Sequence, residues 1–142
     1  MAELEVARIK KGLFKSEKVF FENVYVHSTP EGEVREITMY REGSEEDEDT
    51  RVGTIEYEIT GDTVRIQSIS MENWEDSTYS KFFLNYFIKK MKDQGKKKII
   101  AEIYDVDNKT HAKLNLFRGM KFNVDSTGNM TGYQSWLLTR EL

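Results

Sequence analysis

A helix enclosed between two apolar strands constrains this chain more than any other feature of its sequence. The helix is predicted from five apolar residues at helical spacing, which form one buried stripe: Phe83, Leu84, Phe87, Ile88 and Met91. Ser77 or Thr78 is available as its N-cap, and Gly95 supplies the stop at its C-terminal end. Residues 99–104 then form a dense apolar run of strand length. The middle of the chain is therefore predicted to run strand, helix, strand.

The strand before this helix carries a slip in its alternation. Val64 and Ile66 share one phase, whereas the next apolar residues, Ile69 and Met71, lie one position out of it. A β-bulge has this effect, because one inserted residue turns every later side chain to the other face. We therefore predict a bulge at residues 67–68.

Most of the N-terminal half is predicted as antiparallel strands. Residues 19–27 are rich in β-branched and aromatic side chains, residues 28–32 have turn composition, and residues 34–41 form the partner strand. Residues 54–60 alternate between apolar and polar side chains, as a half-buried strand does. Between residues 4 and 18 the pattern fits a strand or a helix, and both remain open.

A second helix and a hairpin are predicted for the C-terminal part. Asp107 or Asn108 would cap this helix. The closing hairpin is predicted from residues 122–124 and 133–139, with a turn at 126–129. The core-facing residues of the helix are predicted to be Ala112, Leu114, Phe117 and Met120.

Length and composition indicate one domain spanning residues 1–142. The 142 residues have 38% hydrophobic and 32% charged side chains, which suits a single packed core. Residues 43–51 contain five acidic side chains and no apolar one, so they are expected to form a mobile acidic loop.

Several classes of protein are excluded or disfavoured by the same composition. The chain has no cysteine, which excludes disulfides and thiolate metal sites, and its two histidines, His27 and His111, do not suggest a metal centre. The net charge of −4 does not indicate a nucleic-acid surface. No run of roughly 18 apolar residues or secretory signal is found, so we expect a cytoplasmic protein that does not enter membranes.

The order of these elements resembles the GNAT superfamily of acyltransferases. The run FFLNYFIKKMKDQGKKKIIAEIYDVDN at 82–108 and the run LNLFRGMKF at 114–122 are similar to that family's two C-terminal helices and the strand between them. The resemblance covers residues 51–140 and implies an α+β, three-layer α/β/α fold. Its sheet would be mixed but mostly antiparallel, with a bulged central strand, two helices after it and a C-terminal hairpin. An unrelated α+β fold with the same element order is the alternative.

The resemblance also implies a site for acetyl-CoA. In the family a bulge splays two neighbouring strands, and the pantetheine arm enters the gap between them. A glycine-containing pyrophosphate loop precedes the first of the two helices, but residues 75–80 have neither glycine and start with Glu75 and Asp76. Backbone donors of 78–80 remain available there. The predicted cofactor-binding set is Ile69, Met71, Thr78, Tyr79, Ser80 and Asn108, the last as the asparagine at the helix entry.

Catalytic residues of the family are not retained at the matching positions. The family's general-acid tyrosine falls at Phe117, which has no proton to donate. The candidate catalytic residues are therefore Tyr104, on the neighbouring strand, and Glu72, a carboxylate after the bulged strand. Trp74, beside Glu72, lines a cleft or covers the edge of the core, and both readings stay open.

The sequence thus predicts an acetyl-CoA-dependent N-acetyltransferase for a small-molecule or protein amine. The alternative is a catalytically inactive GNAT-fold protein that serves as a binding or regulatory module. A homodimer is also expected, because one core-facing stripe would not need all four aromatic residues of the first helix. These residues are Phe82, Phe83, Tyr86 and Phe87.

Overall fold

The computed structural model describes residues 3–10, 13, 15–42, 50–74, 77–128 and 134–142, without the side chain of Ser77. This part of the chain forms eight strands and two helices. In chain order they are β1 (Glu3–Lys10), β2 (Ser16–Ser28), β3 (Glu33–Arg41), β4 (Arg51–Thr60), β5 (Thr63–Met71), α1 (Ser77–Asp93), β6 (Lys98–Tyr104), α2 (Thr110–Gly119), β7 (Asn123–Gly128) and β8 (Ser135–Glu141).

All eight strands join one sheet in the order β1-β2-β3-β4-β5-β6-β8-β7. Only β5 and β6 pair in parallel, and the other neighbours pair antiparallel. A parallel pair needs a crossover connection, which α1 provides. This mixed, mostly antiparallel sheet, with its bulged strand, two helices and closing hairpin, confirms the predicted α+β fold class.

Helix α1 packs on one face of the sheet. Strand pairing aligns Tyr57, Ile66, Ala101 and Leu138 in one row across β4, β5, β6 and β8, and all four side chains are buried. The Phe87 ring of α1 packs edge-on against Tyr57, with ring centroids 4.9 Å apart. This row therefore marks the face of the sheet that the helix covers.

Helix α2 packs on the same face. Arg140 of β8 lies two residues from Leu138 in the strand, and its guanidinium donates a hydrogen bond of 2.9 Å to the carbonyl of Met120, just after α2. In the described part of the chain no helix lies on the opposite face, which we call the open face. Two of the three predicted layers are therefore present in the described residues. Neither described helix is long and apolar enough to cross a membrane.

The ambiguous N-terminal segment forms strands. Residues 4–9 belong to β1, and β2 begins at Ser16, so only residues 11–15 connect them. The turn predicted at 28–32 joins β2 to β3, as expected.

Two local predictions were wrong. Helix α2 starts at Thr110, and its N-cap position is Lys109, which makes no side-chain cap. Asp107 instead accepts a 2.8 Å hydrogen bond from the Lys109 backbone N–H, before the helix begins, so neither Asp107 nor Asn108 is the cap. The turn predicted at 126–129 is also displaced, because residues 126–128 continue β7.

Other predictions fall partly outside the described residues. Helix α1 begins at Ser77, so Ser77 and Thr78 lie inside the helix and neither is its N-cap, while residues 75 and 76 lie outside the described chain. The acidic segment lies outside the described residues from 43 to 49, while Arg51 already belongs to β4. At its other end α1 stops as predicted: Gly95 has a φ of 79°, and the Lys96 N–H donates to the Met91 carbonyl at 3.0 Å.

The four aromatic residues of α1 find partners inside the chain. Phe21 of β2 stacks on Tyr86, with ring centroids 3.6 Å apart, and it also contacts Phe82 and Phe83. Phe87 packs on Tyr57, as described above. These contacts account for the rings without a partner subunit, so they no longer argue for the homodimer, which stays a prediction.

Candidate functional site

Strands β5 and β6 separate halfway along their length. Their parallel pairing runs only from Thr63 to Ile66 on β5 and from Lys98 to Ala101 on β6. Strand β5 nevertheless continues to Met71 and β6 to Tyr104. We call the space between residues 67–71 and residues 102–104 the gap.

The predicted bulge lies where this separation begins. Tyr57 of β4 lies opposite Ile66, but its neighbour Glu56 lies opposite Ser68, so Gln67 has no opposite residue on β4. This confirms the bulge. Beyond the bulge, Ile69 lies opposite Ile55 on the helix-covered face. The extra residue shifts the alternation by one position, so odd-numbered residues of β5 take the buried side after it.

The peptide groups of Ile69 and Met71 point into the gap. The Glu72 N–H donates a 2.8 Å hydrogen bond to the Val52 carbonyl, so the peptide groups of Glu72 face β4. Successive residues of a strand direct their peptide groups to opposite edges. Ile69 and Met71 therefore direct theirs to the edge that β6 has left, where hydrogen-bonding groups of a ligand can pair with them.

Gly53 lets β4 and β5 approach closely beside the gap. A Cβ atom at this position would lie 2.5 Å from the Ser70 carbonyl oxygen and 2.6 Å from the Met71 Sδ atom. Both distances are shorter than side-chain contacts in proteins allow, so only glycine fits without a shift of β5. The absence of a side chain on β4 thus fixes where Met71 lies.

Tyr104 lies at the far side of the gap, at the end of β6. Its ring is 44% exposed, and its hydroxyl donates a 2.8 Å hydrogen bond to the Glu102 carboxylate. This bond raises the pKa of Tyr104 above its ordinary value, because the carboxylate stabilises the protonated phenol and repels the phenolate. Arg65 of β5 lies 3.6 Å from the other oxygen of Glu102. All three side chains lie on the open face.

Glu72 lies just after β5, at the end of the gap. Its side chain is 59% exposed, and one carboxylate oxygen lies 3.6 Å from the Arg51 guanidinium. The carboxylate is therefore in water beside a cation.

The first turn of α1 presents its three candidate residues differently. Thr78 is exposed, whereas Ser80 is buried. The Tyr79 hydroxyl donates to Glu17 at 2.5 Å, and the Arg41 guanidinium lies 4.7 Å from the centre of the Tyr79 ring. The side chains of Ser80 and Tyr79 thus serve packing, so a role toward a ligand would fall to backbone N–H groups in the first turn, such as that of Tyr79. Residues 75 and 76 lie outside the described chain.

Asn108 lies beside a different cavity. It is exposed and lines a hollow of about 340 Å³ between the N-terminal end of α2 and the start of β8. His111 and Trp136 line the same hollow. Because β8 pairs with the edge of β6 that faces away from β5, this hollow lies on the other side of β6 from the gap.

Phe117, at the position of the family's general acid, is a core residue. Its side chain is fully buried, and its ring meets Phe122 edge-on with centroids 5.0 Å apart. A phenylalanine side chain has no proton to donate. The apolar ring fits here because the position lies inside the core.

Sequence reasoning missed a contact that spans the gap. Trp74 follows β5 and is buried, and the Lys113 ammonium of α2 lies 5.4 Å from the centre of its ring. The same ammonium lies 3.5 Å from the Asp107 carboxylate. Trp74 and Lys113 are 39 positions apart, so no local pattern could have indicated the contact.

Comparison with known proteins identifies the fold. No family model and no curated protein matches the sequence. Among solved structures, the ribosomal-protein-S18-alanine N-acetyltransferase of Escherichia coli matches with a TM-score of 0.57 and 10% identity, over 82% of this chain and 68% of that chain. A Bacillus subtilis acetyltransferase in complex with CoA matches with a TM-score of 0.56 and 19% identity, over 79% and 78%.

A third match is the PaiA N-acetyltransferase of Thermoplasma acidophilum in complex with coenzyme A, with a TM-score of 0.57, 13% identity, and coverage of 77% and 61%. At such low identities the likeness concerns the fold alone. The chain has the fold of the GNAT acetyltransferases, as its sequence pattern predicted.

Proposed function

We propose that the protein is an acyl-CoA-dependent N-acyltransferase, with acetyl-CoA as the acyl donor. The observation that carries the proposal is the gap, which opens at the bulge and exposes strand peptide groups of Ile69 and Met71. Two proteins of the same fold have been solved with CoA. The proposal includes the cytoplasmic location that the sequence suggests.

The residues present fit such a donor. Peptide groups of Ile69 and Met71 would hold the pantetheine arm, as an added strand is held at a sheet edge. Backbone N–H groups of Thr78 and Tyr79 lie in the first turn of a 17-residue helix, where the helix dipole favours phosphate. Bound acetyl-CoA supplies the activated acyl group.

Two side chains are assigned to the protons of the reaction. The amine nitrogen forms a bond to the acyl carbon, the carbon–sulfur bond breaks, one proton leaves nitrogen and one is needed at sulfur. Tyr104 is protonated at neutral pH, as an ordinary phenol is, and is assigned to donate this proton to sulfur; its hydrogen bond to Glu102 raises its pKa and orients the hydroxyl. Glu72 is assigned to accept the amine proton, directly or through water.

The acceptor would approach from the open face. The described part of the chain has no helix there, so a small-molecule amine and an amine on a protein surface both have access. A homodimer remains compatible with this arrangement, because the proposed site uses residues of one chain.

Binding of CoA tests the proposal directly. Millimolar CoA is expected to raise the melting temperature by several degrees, because a ligand that binds only the native state stabilises it by mass action. Thr78→Glu should remove most of this rise, since it places a negative charge beside the proposed phosphate position. Differential scanning calorimetry with and without CoA measures both.

The matched control is Asn85→Glu, which adds the same charge to an exposed position two turns further along α1. It should leave the CoA-induced rise unchanged. A wild-type protein indifferent to millimolar CoA would contradict the proposal, and would favour the catalytically inactive binding or regulatory module.

The acid role of Tyr104 has a consequence for its titration. Glu102→Gln is expected to lower the pKa of Tyr104 toward the ordinary phenol value, because the carboxylate that stabilises the protonated form is gone. Phenolate absorbance, followed from pH 8 to 12 and corrected with Tyr104→Phe, isolates this group from the other six tyrosines. An unchanged titration would show that Glu102 does not control the proton.

In the proposed reaction, Tyr104→Phe should reduce turnover by about a hundredfold and leave CoA binding unchanged.

A further inference from the structure

We propose that Lys113 is the phosphate-binding cation of this protein and that its contact with Trp74 closes the gap until acyl-CoA enters. The inference rests on the proposed function and assigns a residue that no part of the sequence pattern indicated.

Trp74 and Lys113 connect the two sides of the gap. Trp74 comes three residues after the end of β5 and three residues before the start of α1. Lys113 lies in α2, which follows β6. Their contact, with 5.4 Å between the ammonium and the ring centre, therefore runs above the gap on the helix-covered face. A ligand that enters the gap from this side meets both side chains.

The stability of α2 does not explain why a lysine stands here. Lys113 is the fourth residue of the helix, and its N–H makes a helical bond to the Lys109 carbonyl, so its charge lies beside the N-terminal turn. The helix dipole disfavours a cation at this end. The side chain is also mostly covered, at 18% exposure. The positive charge of Lys113 thus lies at the end of α2 where the helix dipole disfavours it, at the mouth of the gap.

The present partners of Lys113 can be exchanged for a phosphate. Its ammonium lies 3.5 Å from the Asp107 carboxylate, which is itself 43% exposed, and such solvated ion pairs are weak. Asp107 has a better partner: the backbone N–H of Lys109 is the main reason that the pKa of Asp107 is lowered. Asp107 therefore remains satisfied when the ammonium turns to another anion.

The site needs a cation from this direction. By the resemblance, Glu75 is in the place of the basic residue of the family's phosphate loop, and Thr78 and Ser80 are in the places of its glycines. Arg65, another cation near the gap, lies on the open face and pairs with Glu102. Lys113 approaches from the helix side, next to the segment that leads into α1. A flexible lysine acts as a point charge that follows a phosphate group, which suits a site without a preformed loop.

Fluorescence of Trp74 tests the inference without an activity assay. The chain has two tryptophans, so in a Trp136→Phe background the emission reports Trp74 alone. We expect CoA to change this emission, because the ammonium leaves the ring. Lys113→Gln should weaken CoA binding about tenfold, since a charge-assisted contact to phosphate is lost. Pantetheine has no phosphate, so it should bind Lys113→Gln at least as tightly as wild type, because the variant loses the closing contact to Trp74 but no contact to the ligand.

The controls separate this inference from the proposed function. Lys92→Gln removes the same charge at the far end of α1 and should not affect CoA binding. Asp107→Asn keeps the acceptor for the Lys109 N–H but frees the ammonium, so it should tighten CoA binding. If CoA and pantetheine both bind but Lys113→Gln behaves as Lys92→Gln does, the role of Lys113 is disproved and the function stands. If neither ligand binds the wild-type protein, the proposed function itself fails.

Discussion

Replacing Gly32 by alanine is expected to destabilise the protein by at least about 3 kcal/mol, enough to unfold much of it in mild urea. An added Cβ would lie 1.7 Å from the Ile59 carbonyl oxygen and 2.9 Å from its carbon. Neither atom can move freely, because Glu33, the next residue, pairs with Ile59 between β3 and β4. The clash can be relieved only by separating two central strands.

The control for this prediction is Gly119→Ala. Gly119 ends α2, and an added Cβ there meets nothing within 4 Å. Alanine loses less chain entropy on folding than glycine does, so this variant should be unchanged or more stable by up to about 1 kcal/mol. Urea unfolding followed by circular dichroism measures both variants. A Gly32→Ala protein as stable as Gly119→Ala would mean that the turn at residues 29–32 does not lie against β4 as described.

Features that depend on local periodicity could be predicted from the sequence. The bulge at Gln67 was predicted because a single inserted residue shifts the phase of Ile69 and Met71, and the structure has it at that place. Helix α1 and its stop at Gly95 were predicted because a buried stripe and a left-handed terminal glycine leave clear patterns.

Features that depend on distant contacts could not be predicted. Residues 4–18 fitted two periods, and only the pairing of β1 with β2 decides for a strand. Asp107 is a residue type that favours the N-cap, but it lies two residues before the N-cap position Lys109 and accepts the N–H of that residue. Residues 126–128 are of types that favour turns, but they remain in β7 because pairing with β8 overrides that preference.

The same limit applies to the candidate site. The gap was predicted in outline, because the phase slip before Ile69 indicated the bulge and the resemblance to the GNAT superfamily implied a separation of the strands beside it. The use of each side chain was not: the Tyr79 hydroxyl binds Glu17, which is 62 positions away, and Trp74 contacts Lys113. The partner of the Tyr79 side chain therefore depends on the fold and not on a motif.

Phe21→Ala is expected to cost about 3–5 kcal/mol, the second large effect. Phe21 is fully buried on β2, its ring stacks on Tyr86 at 3.6 Å with planes 7° apart, and it touches Phe82 and Phe83. Removing the ring leaves a cavity that three large, rigid side chains cannot fill. The free energy of unfolding, from urea titration, measures this loss.

The matched control is Phe20→Ala, one residue earlier on β2. Phe20 is only half-buried and points to the open face, so its loss should cost about 1–2 kcal/mol. A second readout is local: burial is the main reason that the pKa of Tyr86 is raised, so Phe21→Ala should lower that pKa and Phe20→Ala should not. If both variants lost equal stability, Phe21 would not be the main packing partner of the aromatic rings of α1. The homodimer predicted from those rings would then regain its support.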